Sequence, residues 1–177
     1  MSSIQTVQEA RSGSREAFIC LIHENEQMMY AIAKGFFKSD EDAADAIQET
    51  ILKAYKGITK LREPAYFRTW LIRILINECR QLIRQNSKVI PLKHIVERAD
   101  PSNRIEAASQ LELYDFLSGL DFEHKEVVML YYLEDFPVKD IAQTLGISES
   151  AVKSRLHRAR AKLAVLFKKT EGEVEQQ

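Results

Sequence analysis

The chain is poor in residues that break helices. Its 177 residues include four prolines and six glycines. No stretch alternates apolar and polar positions as a half-buried strand would, so helix is expected nearly throughout. Two cysteines, Cys20 and Cys79, are too few for a disulfide framework. Both lie in apolar helical patterns, which favours buried free thiols, with a regulatory disulfide as the alternative reading. The four histidines (His23, His94, His124, His157) are scattered, and no Cys/His spacing suits zinc. There is no nucleophile–base pair and no phosphate loop, so no enzyme, metal or cofactor is expected. The longest apolar run, near Trp70, is interrupted by Arg73, which excludes a membrane span there. The polar start MSSIQTVQEARSG is not a signal peptide, and a cytoplasmic protein is expected.

Net charge is also nearly absent, at −1, which by itself does not suggest nucleic acid. The distribution says more. Residues 60–93 hold eight bases and two acids, whereas residues 94–135 hold three bases and ten acids. Residues 136–177 return to eight bases and five acids. Two basic blocks separated by an acidic one suggest two DNA-facing surfaces.

The second basic block carries the clearest pattern, PVKDIAQTLGISESAVKSRLHRARAKL from Pro137 to Leu163. Val138, Ile141, Ala142 and Leu145 recur at helical spacing. Gly146 follows where a helix closes with a left-handed residue, and Ser148 is an expected N-cap for the next helix. That second helix buries Val152, Leu156, Ala159 and Leu163. Its other face shows Ser150, Lys153, Ser154, His157 and Arg158, with Arg155, Arg160 and Lys162 beside them. This is the form of a helix-turn-helix whose second helix enters a major groove. From Ser150 to Lys169 there are seven Lys or Arg residues and no acid.

Upstream, a first helix is expected from after Ser14 to about Phe36. A second follows an N-cap at Ser39 and runs to about Tyr55, with Ala44, Ile47, Ile51 and Ala54 as its buried stripe. Asp42, Asp45, Gln48 and Glu49 cluster on another face. A solvated face, an acid/base or metal site, and a partner-docking surface are all readings of that cluster. Pro64 suits the first turn of a third helix, roughly Ala65 to Gln85. Arg62, Arg68, Arg73, Arg80 and Arg84 decorate this segment. Tyr66, Phe67 and Trp70 beside arginines are what a site for unstacked bases needs, although as core residues they need no such explanation. Asn77 is either simply exposed or reads a base edge. Residues 86–104, with Pro91 and Pro101, read as a linker. Helices resume near Ile105 and again at Asp121, and the tail TEGEVEQQ has nothing to bury and is expected to be disordered.

The order of three motifs resembles the extracytoplasmic-function (ECF) group of bacterial sigma factors. They are the acidic helix DEDAADAIQETILKAY, the segment LREPAYFRTWLIRILINECRQLIR and the terminal SESAVKSRLHRARAKL. The resemblance implies an all-α fold of two small helical domains on a flexible linker: region 2 over 1–85, linker 86–104, region 4 over 105–169 and a tail over 170–177. It implies that Asp45, Gln48 and Glu49 dock on the clamp of the largest RNA polymerase subunit, and that region 4 also meets the polymerase flap. It implies that Leu61, Arg62, Ala65, Tyr66, Phe67, Trp70, Arg73 and Asn77 serve −10 capture and melting. Lys153, Ser154, Arg155, His157 and Arg158 would then read the −35 element. Promoter DNA, core polymerase and an anti-sigma factor are the implied partners, and stress-response genes the implied targets. The competing expectation is a helix-turn-helix regulator that never docks on polymerase.

Overall fold

The computed structural model describes residues 3–86, 114 and 117–174, the last eight by backbone alone. The first helix was not expected from the sequence. Helix α1 (Ile4–Arg11) opens on Ser3, whose hydroxyl accepts from the Thr6 amide at 3.2 Å, and it buries Val7 and Ala10. The same short-side-chain capping starts α2 (Arg15–Phe36) at Ser14 and α3 (Asp40–Gly57) at Ser39. Three acids, Asp40, Glu41 and Asp42, fill the first turn of α3, where the helix dipole favours negative charge.

A single-turn helix at Ile58–Lys60 and another at Pro64–Tyr66 carry the chain into α4 (Phe67–Asn86). Proline at the start of the second turn sacrifices no hydrogen bond, because that amide has no helical partner. Helix α4 buries Phe67, Leu71, Ile72, Leu75, Ile76 and Cys79 and packs on both α3 and α2. Burial pushes the Cys79 thiol up to about 12, so it is held as a neutral, inert group.

The buried stripe of α3 is set one residue from the expected one. Ala43, Ala46, Thr50 and Ala54 face the core, Ile47 and Ile51 are half-buried, and Ala44 is exposed. Thr50 hid this register. It is polar, yet its hydroxyl donates to the Ala46 carbonyl at 2.7 Å and needs no water. Cys20 is a second correction: it is free but exposed, on the flank of α2 next to buried Leu21.

The second group of helices begins, in the described residues, at Tyr114 and Leu117–Ser118. The rest of the expected linker after Asn86, and most of the helix expected from Ile105, lie outside the described residues. Helix α5 (Phe122–Tyr132) is capped by Asp121, whose carboxylate accepts from the His124 amide at 3.2 Å. Helix α6 (Val138–Leu145) ends at Gly146, with φ +67°, a left-handed residue that glycine adopts without strain. Helix α7 (Glu149–Val174) starts on Ser148, which accepts from the Ala151 amide at 3.2 Å. Val152, Leu156 and Ala159 of α7 are buried against α5 and α6. The backbone of α7 stays helical to Val174, past the start of the expected disordered tail. Each residue added to a long helix gains a backbone bond without a new nucleus.

The two groups are packed together. Helix α5 lies on α2, and α6 lies on α4. The Phe122 ring stacks on Phe36 with centroids 4.5 Å apart. Met129 sits on Gly35 so closely that a Cβ there would collide with its Cε.

The register of α3 is directly testable. Ala43→Leu overpacks a closed position and should cost about 1–3 kcal/mol. Ala44→Leu, on the exposed side, should fall within about 0.5 kcal/mol of the parent in urea unfolding.

Candidate functional site

Three surfaces hold the residues singled out from the sequence. The first is a groove between α3 and α4. Asp45, Gln48 and Glu49 line it from α3 and are exposed. Leu52 continues the α3 wall, and Glu78, Gln81, Leu82 and Gln85 form the α4 wall. Sequence reasoning missed the α4 wall, although 78, 81, 82 and 85 recur at helical spacing. Lys53 of α3 holds Glu78 at 2.5 Å and ties the two walls together. The groove is thus a rigid two-helix surface with an acidic rim and an apolar patch at Leu52 and Leu82. That is chemistry for gripping a partner with basic and apolar side chains. It is poor chemistry for a metal, and among the described residues no His, Cys, Asp and Glu cluster could hold one.

The second surface is the loop–α4 junction. The structure sorts the expected residues into two kinds. Leu61 and Phe67 are buried and anchor the loop to the core. Trp70 is half-buried: its ring packs beside Phe67 and across Gly57, where a Cβ would stand 3.2 Å from Cζ2. Arg62, Ala65, Tyr66, Arg73 and Asn77 are exposed. Tyr66 is 55% exposed, so the aromatic available for stacking here is this one rather than Phe67. Residues 73, 77, 80 and 84 follow one face of α4 at helical spacing. Arg80 of that face donates to the Asn77 side-chain oxygen at 3.4 Å.

The third surface is the outward side of α7. Lys153, Ser154, His157 and Arg158 are exposed together, opposite buried Val152, Leu156 and Ala159. Arg155 is turned the other way. Its guanidinium meets Glu126 at 2.7 Å and Glu123 at 3.0 Å. Arg160 donates to the Tyr132 hydroxyl at 2.7 Å and lies over the Tyr131 and Tyr132 rings. Lys162 pairs with Asp121 at 2.6 Å. Three of the seven bases in this series are therefore committed to the protein itself.

Glu126 is the centre of that commitment. It is 1% exposed and takes Arg80 from α4 at 2.5 Å as well as Arg155. Burial pushes its carboxyl above the usual range, and the two guanidinia draw it back. Glu134, in the α5–α6 turn, is held by Arg68, and burial likewise raises its carboxyl.

Comparisons with known proteins bear on the chain as a whole. The family model "Sigma-70 region 2" matches residues 21–89, and "Sigma-70, region 4" matches residues 110–163. The chain is 32% identical over 158 residues to the ECF RNA polymerase sigma factor SigM of Mycobacterium tuberculosis, covering 88% of this chain and 80% of that one. It is 30% identical over 173 residues to the RNA polymerase sigma factor CnrH of Cupriavidus metallidurans, covering 90% and 91%. The structure of CnrH in complex with the cytosolic domain of CnrY superposes with a TM-score of 0.73 at 27% identity, covering 95% of this chain and 98% of that one.

The inward and outward arginines of α7 should separate in a stability measurement. Arg155→Ala leaves Glu126 buried with one partner fewer and should cost about 1–3 kcal/mol in urea unfolding. Arg158→Ala should change stability by no more than about 0.5 kcal/mol.

Proposed function

The chain belongs to the sigma-70 family as an ECF RNA polymerase sigma factor, and from that premise we propose how its surfaces share the work of starting transcription. It is an alternative sigma factor: it binds core RNA polymerase and directs it to a class of promoters. Residues 1–85 act as region 2, 86–104 as the linker and 105–169 as region 4. The acidic groove, with Asp45, Gln48 and Glu49, is the docking surface for the polymerase clamp. The outward face of α7 reads duplex DNA at the −35 element through Lys153, Ser154, His157 and Arg158, with bases on phosphates and a few side chains on base edges. Arg155 acts behind that face, by fixing the helix on Glu126.

The loop–α4 junction holds the separated strand at the −10 element. Tyr66 offers a ring to an unpaired base, Arg62 and Arg73 offer charge to phosphates, and Asn77 offers a base-edge partner. Leu61, Ala65, Phe67 and Trp70 shape the loop that receives the base. Each base stacked in this way contributes about 1–3 kcal/mol, so a few captured bases offset the opening of a few pairs without a nucleotide fuel. The observation that carries this reading is the presence, in one chain, of an acidic groove and two separate exposed basic faces. A duplex-binding regulator has no use for the first two of these surfaces.

Control by an anti-sigma factor is proposed on the family's account: CnrH is solved in complex with the cytosolic domain of CnrY, and the sigma factor RpoE of Bartonella quintana in complex with the anti-sigma factor NepR. Sigma factors are not enzymes, and we assign this chain no catalytic role or cofactor. No described helix is long and apolar enough to cross a membrane, and a cytoplasmic site of action is proposed on the family's account.

Purified protein added to core polymerase on a premelted promoter template should give a specific run-off transcript; no transcript above core alone rejects the reading. Arg158→Ala should lower the ratio of specific to scrambled duplex binding by about 1–3 kcal/mol in a binding titration. Glu49→Lys should weaken assembly with core polymerase in a pull-down, and unchanged assembly would remove the groove from the docking role.

A further inference from the structure

The five bases of α7 from Lys153 to Lys162 do not share one environment. Lys153 and Arg158 are exposed on the reading face. Arg155 and Lys162 run down one flank of the helix, two turns apart, and each meets an acid. Arg160 is two turns from Lys153 and in line with it, so it stands on the opposite flank, beside His157. It is exposed, and its partners are of another kind. Its Nε donates to the Tyr132 hydroxyl at 2.7 Å. Its guanidinium lies over the Tyr131 and Tyr132 rings, 5.7 and 5.8 Å from their centroids. Those two rings meet edge to face with centroids 4.9 Å apart, as one platform. Among the described residues no carboxylate pairs with Arg160, so its position is fixed while its charge is left unanswered.

We propose that Arg160, braced by Tyr132, is a preset clamp for one backbone phosphate of the DNA duplex, beside the reading face. The inference rests on the reading that the outward face of α7 enters duplex DNA. A guanidinium is a planar fork of N–H donors, and the Tyr132 bond takes only the one at Nε. Donors are left for a phosphate, whose oxygens that fork fits two at a time. The phenol accepts from Arg160, so its own proton is left to donate to the same anion. The rings hold the guanidinium in place before DNA arrives, which lowers the ordering cost of the contact. Lys153 and Arg160 stand about 10 Å apart along the helix, a span of roughly three base pairs at about 3.4 Å each. A carboxylate in place of the phenol would tie α7 to α5 equally well, as Glu126 does through Arg155, but it would cancel the charge. The phenol ties the helix and keeps the charge. A phosphate contact carries no sequence information, so the clamp adds grip and register rather than promoter choice.

Full-length variants are compared with the parent for helix content by circular dichroism and for binding of two fluorescein-labelled 20-base-pair duplexes of unrelated sequence across a salt series. Arg160→Ala should weaken binding of both duplexes equally, about three- to tenfold at low salt, and reduce the log–log salt slope by roughly 0.9, the share of one phosphate. Tyr132→Glu keeps a brace on Arg160 and cancels its charge, so it should lose the same slope with helix content kept. Tyr132→Phe keeps the rings and the charge, so it should weaken binding about two- to threefold with the slope unchanged. Lys162→Ala removes a charge of the same sign from the other flank and should leave the slope as it is. If Arg160 served only to hold α7 on α5, Tyr132→Glu would bind as the parent does, and that result overturns the clamp. A slope unchanged in Arg160→Ala, or lowered as much in Lys162→Ala, overturns it too. The double variant Lys153→Ala with Arg158→Ala tests the underlying reading. If it leaves both duplexes bound as tightly as before, the duplex-reading face is refuted and the clamp falls with it. If it weakens them, the other outcomes judge the clamp alone.

Discussion

A carboxylate shut away from water has to be paired, and Glu126 meets that demand with arginines from two directions. Arg155 comes from α7, within its own group, and Arg80 comes from α4, in the other. The first pairing turns one base of α7 inward, so the outward face is left to Lys153, Ser154, His157 and Arg158. The second helps set where α4 meets α5, with the Phe122 ring in contact with both Arg80 and Phe36. Both basic surfaces are thus positioned by one buried acid. Replacing such an ionic centre with apolar groups often costs a protein little in stability. What it supplies here is direction: it decides which arginines point out.

Much of the architecture was legible because local signals agreed with one another. Ser14, Ser39, Asp121 and Ser148 marked helix starts, Ser39 and Ser148 as expected caps, and all four make a cap bond. Gly146 announced the turn of the helix-turn-helix, and its left-handed φ shows why. The misreadings have equally local causes. Helix α1 is short and polar, and two buried residues, Val7 and Ala10, give no readable period. Thr50 disguised the core face of α3 by satisfying its own hydroxyl. Ala44 then looked as good a core residue as Ala43, since alanine carries little apolar signal either way.

The candidate surfaces were legible in part. Exposure of the α7 set followed from periodicity, because the apolar residues opposite them fixed the face. Arg155 did not follow, because a pattern of bases cannot tell an arginine aimed at solvent from one aimed at an acid brought near by the fold. The loop–α4 residues had the same ambiguity. Tyr66, Phe67 and Trp70 stand close together in sequence, yet one is exposed, one buried and one between. The acidic block at 94–135 was read only as separating two basic ones. Two of its acids instead stitch the halves together, a long-range pairing that no local rule contains. The α4 wall of the acidic groove was missed for a related reason: a groove belongs to two helices, and each was read by itself.

Trp70 carries a practical consequence. It is the chain's one tryptophan, and its indole lies across Gly57 beside Phe67, at the entry to α4. Excitation at the red edge of protein absorbance therefore lights a single spot in the first helical group. Emission colour and quenching report how tightly that loop is seated, with no background from the second group. The native chain comes with its own optical gauge, built into the segment where a base would arrive.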